Sequence, residues 1–227
     1  MIDVVERLSG ELGFDPPKTA QEIHVFEELL ALLEQPPPGA VQWLNLDAGQ
    51  AAVRSQLAVR AKHQAERLAH LKAVISEELA PDVFALPIQE LLERFRTTYR
   101  SSFRGLRPQY RRDVKRLSRP GRELAYEQLL AGLDQAAEAL ELEEWFAAHE
   151  PSLQDRLGNS YRGPGSDWPA LCAGLDWAER LLTALVGQPI PSQLLRHLQQ
   201  PSVLQPLVRQ ARMNLHRLPL PGHRLRL

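Results

Sequence analysis

Residues that favour β-strands are scarce in this chain, and this scarcity limits its fold more than any other feature. The 227 residues include 40 Leu and 25 Ala, but only 21 Val, Ile and Thr together. Leu and Ala lose little conformational freedom in a helix, whereas β-branched side chains favour strands. No stretch alternates polar and apolar residues over more than a few positions, as a half-buried strand would. The sequence therefore predicts an all-α protein.

Proline and glycine divide the apolar periodicity into several helices. Thr19 and Glu22 form a predicted capping box, in which the Thr19 hydroxyl accepts from the Glu22 backbone and the Glu22 carboxylate reaches back. Long helices are predicted at four places, residues 47–80, 87–106, 124–149 and 167–186. The first of these carries a narrow apolar seam formed by Val53, Leu57, Gln64, Leu68, Leu71, Ile75 and Leu79.

Long helices joined by short breaks predict an elongated antiparallel helical bundle or coiled-coil hairpin. The predicted domains are a segment of short helices at 1–46, a helical stalk at 47–190 and a basic, proline-punctuated C-terminal tail at 191–227. Within this tail, Ser192 and Ser202 are predicted to cap two short helices.

Several chemistries lack their signatures in this sequence. No phosphate-binding Gly-Lys-Ser/Thr loop, Gly-x-Gly-x-x-Gly or Gly-x-Ser-x-Gly is present, and the seven histidines are scattered. The single cysteine, Cys172, excludes an internal disulfide and is predicted to be a buried, inert thiol. We therefore expect no enzymatic activity, no cofactor and no metal site.

The start of the chain and its apolar runs bear on where the protein acts. Acidic residues interrupt the first 30 positions, and the apolar runs are far shorter than the roughly 20 residues that cross a bilayer. We expect a cytoplasmic protein with no membrane partner.

A net charge of −1 conceals a strong partition of charge along the chain. Residues 1–50 carry −7 and residues 51–93 carry −1. Residues 94–122 hold eleven bases and a single acid, Asp113, for a charge of +10. Residues 123–179 then carry −10, and residues 180–227 carry +7. So dense a positive charge repels itself unless anions lie nearby, although runs of charge usually form a solvated face.

Two kinds of anion fit the basic segment, and the sequence leaves both open. One is phosphate, which the planar guanidinium of arginine binds well. The predicted nucleic-acid-binding residues are Arg104, Arg107, Tyr110, Arg111, Arg112, Lys115 and Arg116. The other is an acidic protein face, either a partner's or the chain's own, notably Glu138, Glu141, Glu143 and Glu144.

Four aromatic residues interleave with these bases as candidate stacking surfaces, namely Phe95, Tyr99, Phe103 and Tyr110. Phe95 and Tyr99 lie on the apolar seam of the helix predicted at 87–106, as does Leu106. We therefore predict that Phe95 and Tyr99 pack in the core.

Aromatic and tryptophan motifs recur between residues 91 and 185. The first are Phe95-x3-Tyr99-x3-Phe103-Arg104-x-Leu106, Tyr110-Arg111-Arg112-Asp113-x3-Leu117 and Leu124-x-Tyr126-Glu127-x-Leu129-Leu130. The later ones are Tyr161-Arg162-Gly163, Asp167-Trp168 and Leu175-Asp176-Trp177-Ala178. This stretch resembles the helical insertion of large bacterial superfamily I DNA/RNA helicases, a coiled-coil stalk on the first motor domain.

The resemblance implies an accessory domain that contacts DNA or RNA and works with a helicase motor domain, in cis or in trans. The family's ATP-binding loop, Asp-Glu magnesium motif and arginine finger have no counterpart here, so no catalytic residue is carried over. We therefore expect a non-catalytic helical stalk that contacts nucleic acid through its basic segment. The alternative is a structural coiled coil that binds a protein partner, with the basic segment docked on an acidic face.

Overall fold

A computed structural model describes residues 2–185 and 188–215. These residues form α-helices and short 3-10 turns, with no β-strand among them, which confirms the all-α prediction. The described helices are α1 (Ile2–Leu12), α2 (Ala20–Glu34), α3 (Ala48–Glu78), α4 (Ile88–Arg96), α5 (Pro108–Leu117), α6 (Tyr126–Leu157), α7 (Trp168–Ala184), α8 (Ser192–Leu198) and α9 (Pro201–Leu215). An elongated hairpin bundle stays a prediction.

The chain divides into two compact units. Unit 1 comprises residues 1–59 and 167–227, and unit 2 comprises residues 60–166. Unit 1 therefore joins both ends of the chain, whereas the predicted domains follow one another along it. Residues 216–227 of the predicted tail lie outside the described residues.

The start of α2 follows the predicted capping box. The Glu22 amide donates to Thr19 Oγ1 at 3.1 Å, and the Glu22 carboxylate accepts from the Thr19 amide at 3.1 Å. It also accepts from the Lys18 amide at 2.6 Å, and these backbone donors, Lys18 first, lower the pKa of Glu22. A local side-chain motif thus sets where this helix begins.

In unit 1, the 3-10 turn Ala40–Asn45 packs closely against α7. The indole of Trp43, in the 3-10 turn Ala40–Asn45, lies against Gly174 of α7, where an added Cβ would be 3.2 Å from Trp43 Nε1. Trp177 Nε1 donates to the Leu32 carbonyl of α2 at 2.8 Å. Gly174 is therefore the residue that lets the two elements touch.

The apolar seam of α3 is confirmed in its second half and wrong at its start. Leu68, Leu71, Ile75 and Leu79 are buried, but Val53 is 52 % exposed. The buried stripe before Leu68 instead consists of small residues, Ala51, Ala58, Ala61 and Ala65. Spacing of large apolar residues alone misses such a stripe, because alanine occurs on every face of a helix.

In unit 2, α3 and α6 run antiparallel to one another. Leu79, just after the end of α3, contacts Gly132 in the first half of α6, where an added Cβ would be 3.0 Å away. Further back along α3, the guanidinium of Arg60 lies over the ring of Trp145, which is further on in α6. Phe95 and Tyr99 are fully buried in this unit, as predicted.

The predicted helix at 87–106 is wrong in its second half, because α4 ends at Arg96. Thr97 Oγ1 donates to the Glu93 carbonyl at 2.8 Å, and the Tyr99 amide donates to the Arg94 carbonyl at 3.0 Å. These bonds close the end of the helix and turn the chain.

The predicted end of the third long helix at residue 149 is also wrong. The helix α6 continues through Pro151 to Leu157. A proline inside a helix removes one hydrogen bond and disfavours the helix. Leu153 and Leu157 are fully buried beyond it, and their burial offsets that cost.

The serine caps of the tail are wrong as well. Ser192 is the first residue of α8, and Pro191 precedes it at the cap position. Ser202 lies inside α9, which begins at Pro201. Proline suits the start of a helix, because its fixed φ matches the helix and its missing N–H has no partner there.

Cys172 is half-buried, rather than buried as predicted. Among residues 2–185 and 188–215, no three histidine, cysteine or acidic side chains form a group that could hold a metal ion. Within these same ranges, no helix combines the length and apolarity needed to cross a membrane.

Candidate nucleic-acid interface

The helix α5, within the basic segment, has two chemically different faces. Its inner face carries Asp113 and Leu117, which are buried, and Tyr110 and Val114, which are half-buried. These positions are three or four residues apart, so they share one side of the helix. The other side carries four exposed bases, Arg111, Arg112, Lys115 and Arg116.

The inner face is anchored by a buried carboxylate. Asp113 is 4 % exposed and accepts from Tyr99 Oη at 2.7 Å and from Arg94 Nη1 at 3.2 Å. Burial, together with the hydrogen bond to Asp113, raises the pKa of Tyr99 to about 12. The single acid of the basic segment therefore fixes α5 to the end of α4.

A cluster of aromatic rings packs under the inner face of α5. Phe95 lies between three tyrosine rings, with centroids at 5.2 Å from Tyr99, 5.9 Å from Tyr110 and 5.8 Å from Tyr126. Tyr126 Oη also donates to the Phe95 carbonyl at 2.6 Å. Tyr110, which the sequence assigns to nucleic-acid binding, packs at 5.1 Å from Tyr99 in this cluster.

Four of the eleven bases in the segment hold unit 2 together. Arg94 pairs with Asp113, and Arg96 pairs with Asp134 of α6 at 2.5 Å. Arg119 donates to the Leu79 carbonyl at 3.1 Å, and Arg122 donates to the Glu77 carbonyl at 2.7 Å. Those carbonyls lie at the end of α3, where a helix leaves its acceptors without partners and favours positive charge.

Two further bases support the 3-10 turn Ser102–Leu106, which precedes α5. The guanidinium of Arg104 lies 4.2 Å from the centroid of the Tyr126 ring. Arg111 Nε donates to the Gly105 carbonyl at 2.8 Å. Both residues were predicted to bind nucleic acid, and each has an intramolecular contact here.

The remaining five bases are all exposed, and the described part of the chain provides none of their side chains with a hydrogen bond, an ion pair or a ring contact. We call them the basic surface: Arg100, Arg107, Arg112, Lys115 and Arg116. The sequence predicts four of them as binding residues. The sequence prediction misses Arg100, although Arg100 lies in the stretch of residues 97–112, which contains no acid.

The acidic helix α6 does not neutralise the basic surface. Its Glu138 forms two hydrogen bonds of 2.7 Å with Arg67 of α3, which lower the pKa of Glu138. Glu143 pairs with Lys72 of α3 at 2.5 Å. The hypothesis that the basic segment docks on these two glutamates is therefore wrong.

The other two glutamates named in that hypothesis give the same result. No ion pair within the described ranges joins Glu141 or Glu144 to the basic segment. Among the acids of α6, Asp134 pairs with Arg96 of the basic segment, whereas no carboxylate in the described ranges pairs with the basic surface.

An apolar feature lies beside the basic surface. Phe103 and Leu106, both in the turn Ser102–Leu106, are each 73 % exposed. The exposure of Phe103 agrees with its selection as a candidate stacking surface. The prediction that Leu106 lies on a buried seam is wrong, because α4 ends ten residues earlier.

No protein-family model matches this chain, and searches of the curated proteins and of the solved structures found no match either. The likeness to the helicase insertion thus depends on the sequence motifs alone. Several of the motif residues are buried, including Phe95, Tyr99, Tyr161, Trp168 and Trp177. These positions describe how the chain packs, and they are separate from the exposed bases.

Proposed function

We propose that this chain is a non-catalytic helical accessory domain that contacts nucleic acid through the basic surface of unit 2. The observation that carries the proposal is the set of five exposed bases without a partner among the described residues. Charges that the fold does not use are available to a ligand, and their mutual repulsion falls when an anion binds.

The chemistry of the basic surface favours phosphate. Four of its five residues are arginine, whose planar fork donates two parallel hydrogen bonds to a phosphate. A polyanion binds such a surface with a further gain, because each neutralised phosphate releases counterions into solution. Asp113 anchors the opposite face of α5, so the backbone that carries three of the five bases is already positioned before a ligand arrives.

The resemblance to the helicase insertion extends this proposal to a cellular setting. In that setting the basic surface guides a DNA or RNA strand beside a motor domain, which is present in cis or in trans. ATP hydrolysis then belongs to the motor domain. The support for this part is the set of motifs between residues 91 and 185.

Salt-dependent binding tests the proposal directly. Fluorescence anisotropy measures the affinity of the full chain for a labelled single strand and a labelled duplex between about 50 and 300 mM salt. If all five bases neutralise phosphates, log K falls against log salt with a slope of roughly −3.5 for the single strand and roughly −4.5 for the duplex. Absence of binding at about 50 mM salt and micromolar protein contradicts the proposal.

A matched pair of triple variants locates the surface. Reversing Arg112, Lys115 and Arg116 to Glu should weaken binding at least 100-fold and lower the salt slope by about two to three units. The control reverses Arg7, Arg180 and Arg196, which are exposed bases of unit 1, and changes the net charge equally. A similar loss in both variants would show a general charge effect, and an unchanged affinity in the first would place binding elsewhere.

The competing function is recognition of an acidic protein face. In that case the Arg112, Lys115 and Arg116 variant would lose a protein complex, while the wild-type chain would ignore oligonucleotides at every salt concentration. The anisotropy titration therefore separates the two functions.

A further inference from the structure

The turn Ser102–Leu106 exposes an apolar ridge at the edge of the basic surface. Among the large hydrophobic residues whose side-chain exposure the structure describes, Phe103 and Leu106 are the most exposed. A 3-10 helix has three residues per turn, so side chains three positions apart lie on the same edge. Phe103 and Leu106 therefore stand side by side and face away from the core.

The ridge is held in position by contacts on both sides. The Phe103 amide donates to Ser101 Oγ at 3.3 Å, which caps the turn. Arg104 is fixed by its position over the Tyr126 ring, and Gly105 is fixed by the hydrogen bond from Arg111. The outward direction of Phe103 is thus built into unit 2, and a ligand that covers the ring does not have to order the turn first.

Positively charged residues flank this ridge in the sequence. Arg100 precedes the turn, Arg107 follows it, and both belong to the basic surface. A ligand that covers the ridge must therefore combine a flat apolar face with closely spaced negative charge. An unpaired nucleobase on its phosphate backbone has both properties, whereas the bases of a duplex present only their edges.

We infer that Phe103 stacks on an unpaired base, so that this protein binds single-stranded nucleic acid more tightly than duplex. The inference rests on the proposed function and deepens it. The basic surface contacts the phosphates of the nucleic acid, and the apolar ridge favours a strand whose nucleobases are unpaired.

Removing the Phe103 ring from the protein and removing the nucleobases from the strand should lower the affinity to a similar extent. The ligands are a 12-nucleotide single strand, a strand of equal length with abasic residues in place of all nucleotides, and a 12-base-pair duplex. Alanine substitutions of stacking aromatic residues lower the affinity by roughly 5-fold to 150-fold for each stacked nucleobase. We expect Phe103→Ala to weaken binding of the single strand by about 10-fold and to leave the abasic strand and the duplex within twofold.

Two variants control for the loss of an aromatic side chain. Phe103→Trp restores a stacking ring and should retain the affinity of the wild-type chain for the single strand. Met213→Ala removes another exposed large hydrophobic side chain, in unit 1, and should change nothing. Circular dichroism should show the same helicity for all variants, because the Phe103 ring makes little contact with the core.

The outcomes separate this inference from the proposed function. Equal affinity of the wild-type chain for all three ligands, or an equal loss on all three in Phe103→Ala, overturns the stacking role while nucleic-acid binding stands. Failure of the wild-type chain to bind any of them overturns both. Binding of the single strand that is tighter than binding of the other two, and that is lost selectively in Phe103→Ala, establishes the stacking role.

Discussion

Bases on α3 and bases on α5 meet different surroundings within the same unit. Arg67 and Lys72 on α3 each pair with a glutamate of α6, at 2.7 and 2.5 Å. Arg112, Lys115 and Arg116 on α5 find no carboxylate in the described ranges. Both sets are exposed, so burial does not separate them. The residues of the facing helix, more than the charge itself, therefore decide whether an exposed base stabilises the fold or remains available for a ligand.

The two sides of α5 repeat this division on a single helix. Asp113 on its inner face is buried and accepts from Tyr99 and Arg94. The outer face holds Arg112, Lys115 and Arg116, whose side chains have no partner in the described ranges. Stability and binding are thereby assigned to different residues. Substitutions on one side should change the free energy of unfolding, and substitutions on the other should change affinity.

The largest expected effect follows from removing the inner carboxylate. Asp113→Ala leaves the buried hydroxyl of Tyr99 and the partly buried guanidinium of Arg94 without their acceptor. Loss of one partner in such a buried pair costs about 3 kcal/mol of the free energy of unfolding. Urea denaturation measures this loss, and Asp113→Asn, which keeps an acceptor oxygen, should lose less. A change below about 1 kcal/mol would show that Asp113 does not anchor α5.

The next effect concerns the phenol that donates to this carboxylate. Since the pKa of Tyr99 is raised to about 12 from its usual value near 10, the folded state holds this proton more tightly than the unfolded state. The resulting stability is complete below pH 10 and is lost as the pH rises towards 12.

Tyr99→Phe tests this pH dependence. Between pH 8 and pH 11, the wild-type chain should lose about 1 kcal/mol more of its free energy of unfolding than Tyr99→Phe does. Other titrating groups are common to both proteins, so the difference isolates Tyr99. Equal losses would contradict the raised pKa of the buried Tyr99 hydroxyl.

The sequence alone predicts the features that local contacts decide. The capping box at Thr19 follows from two side chains three residues apart, and the buried positions from Leu68 to Leu79 follow from a helical seam. The exposed bases of α5 also follow from the sequence, because Asp113 is the single acid among the eleven bases of residues 94–122. Such features need no knowledge of what packs against the helix.

Features that depend on tertiary packing were missed for a physical reason. The helix α6 passes through Pro151 because Leu153 and Leu157 are buried beyond it, and α4 ends at Arg96 although its apolar pattern continues. The partner of Glu138 is Arg67, far from it in the chain, because α3 and not α5 provides the facing charge. The spacing of residues in the sequence does not predict whether the bases of α3 or those of α5 face the acids of α6.

A smaller effect should distinguish the paired bases of α3 from those of α5. Arg67 and Glu138 form two parallel hydrogen bonds but lie in solvent, so their coupling should be favourable but small. A double-mutant cycle with Arg67→Ala and Glu138→Ala measures it by urea denaturation. The matched cycle pairs Arg112→Ala with Glu138→Ala and should give no coupling. A coupling energy of zero in both cycles would remove the contrast between α3 and α5.

The smallest effect has the opposite sign and concerns the basic surface itself. Arg112 and Arg116 are four residues apart on α5, where like charges destabilise a helix by about 0.3 kcal/mol. Arg112→Gln keeps nearly the same helix propensity and removes this repulsion, so it should raise the free energy of unfolding by about that amount at 20 mM salt. At 500 mM salt the gain should vanish, because the repulsion is screened. Arg67→Gln should instead lower stability, since it removes an attraction. If both substitutions destabilise the protein equally at low salt, then Arg112 has an anionic partner within the fold, and the basic surface is not free to bind phosphate.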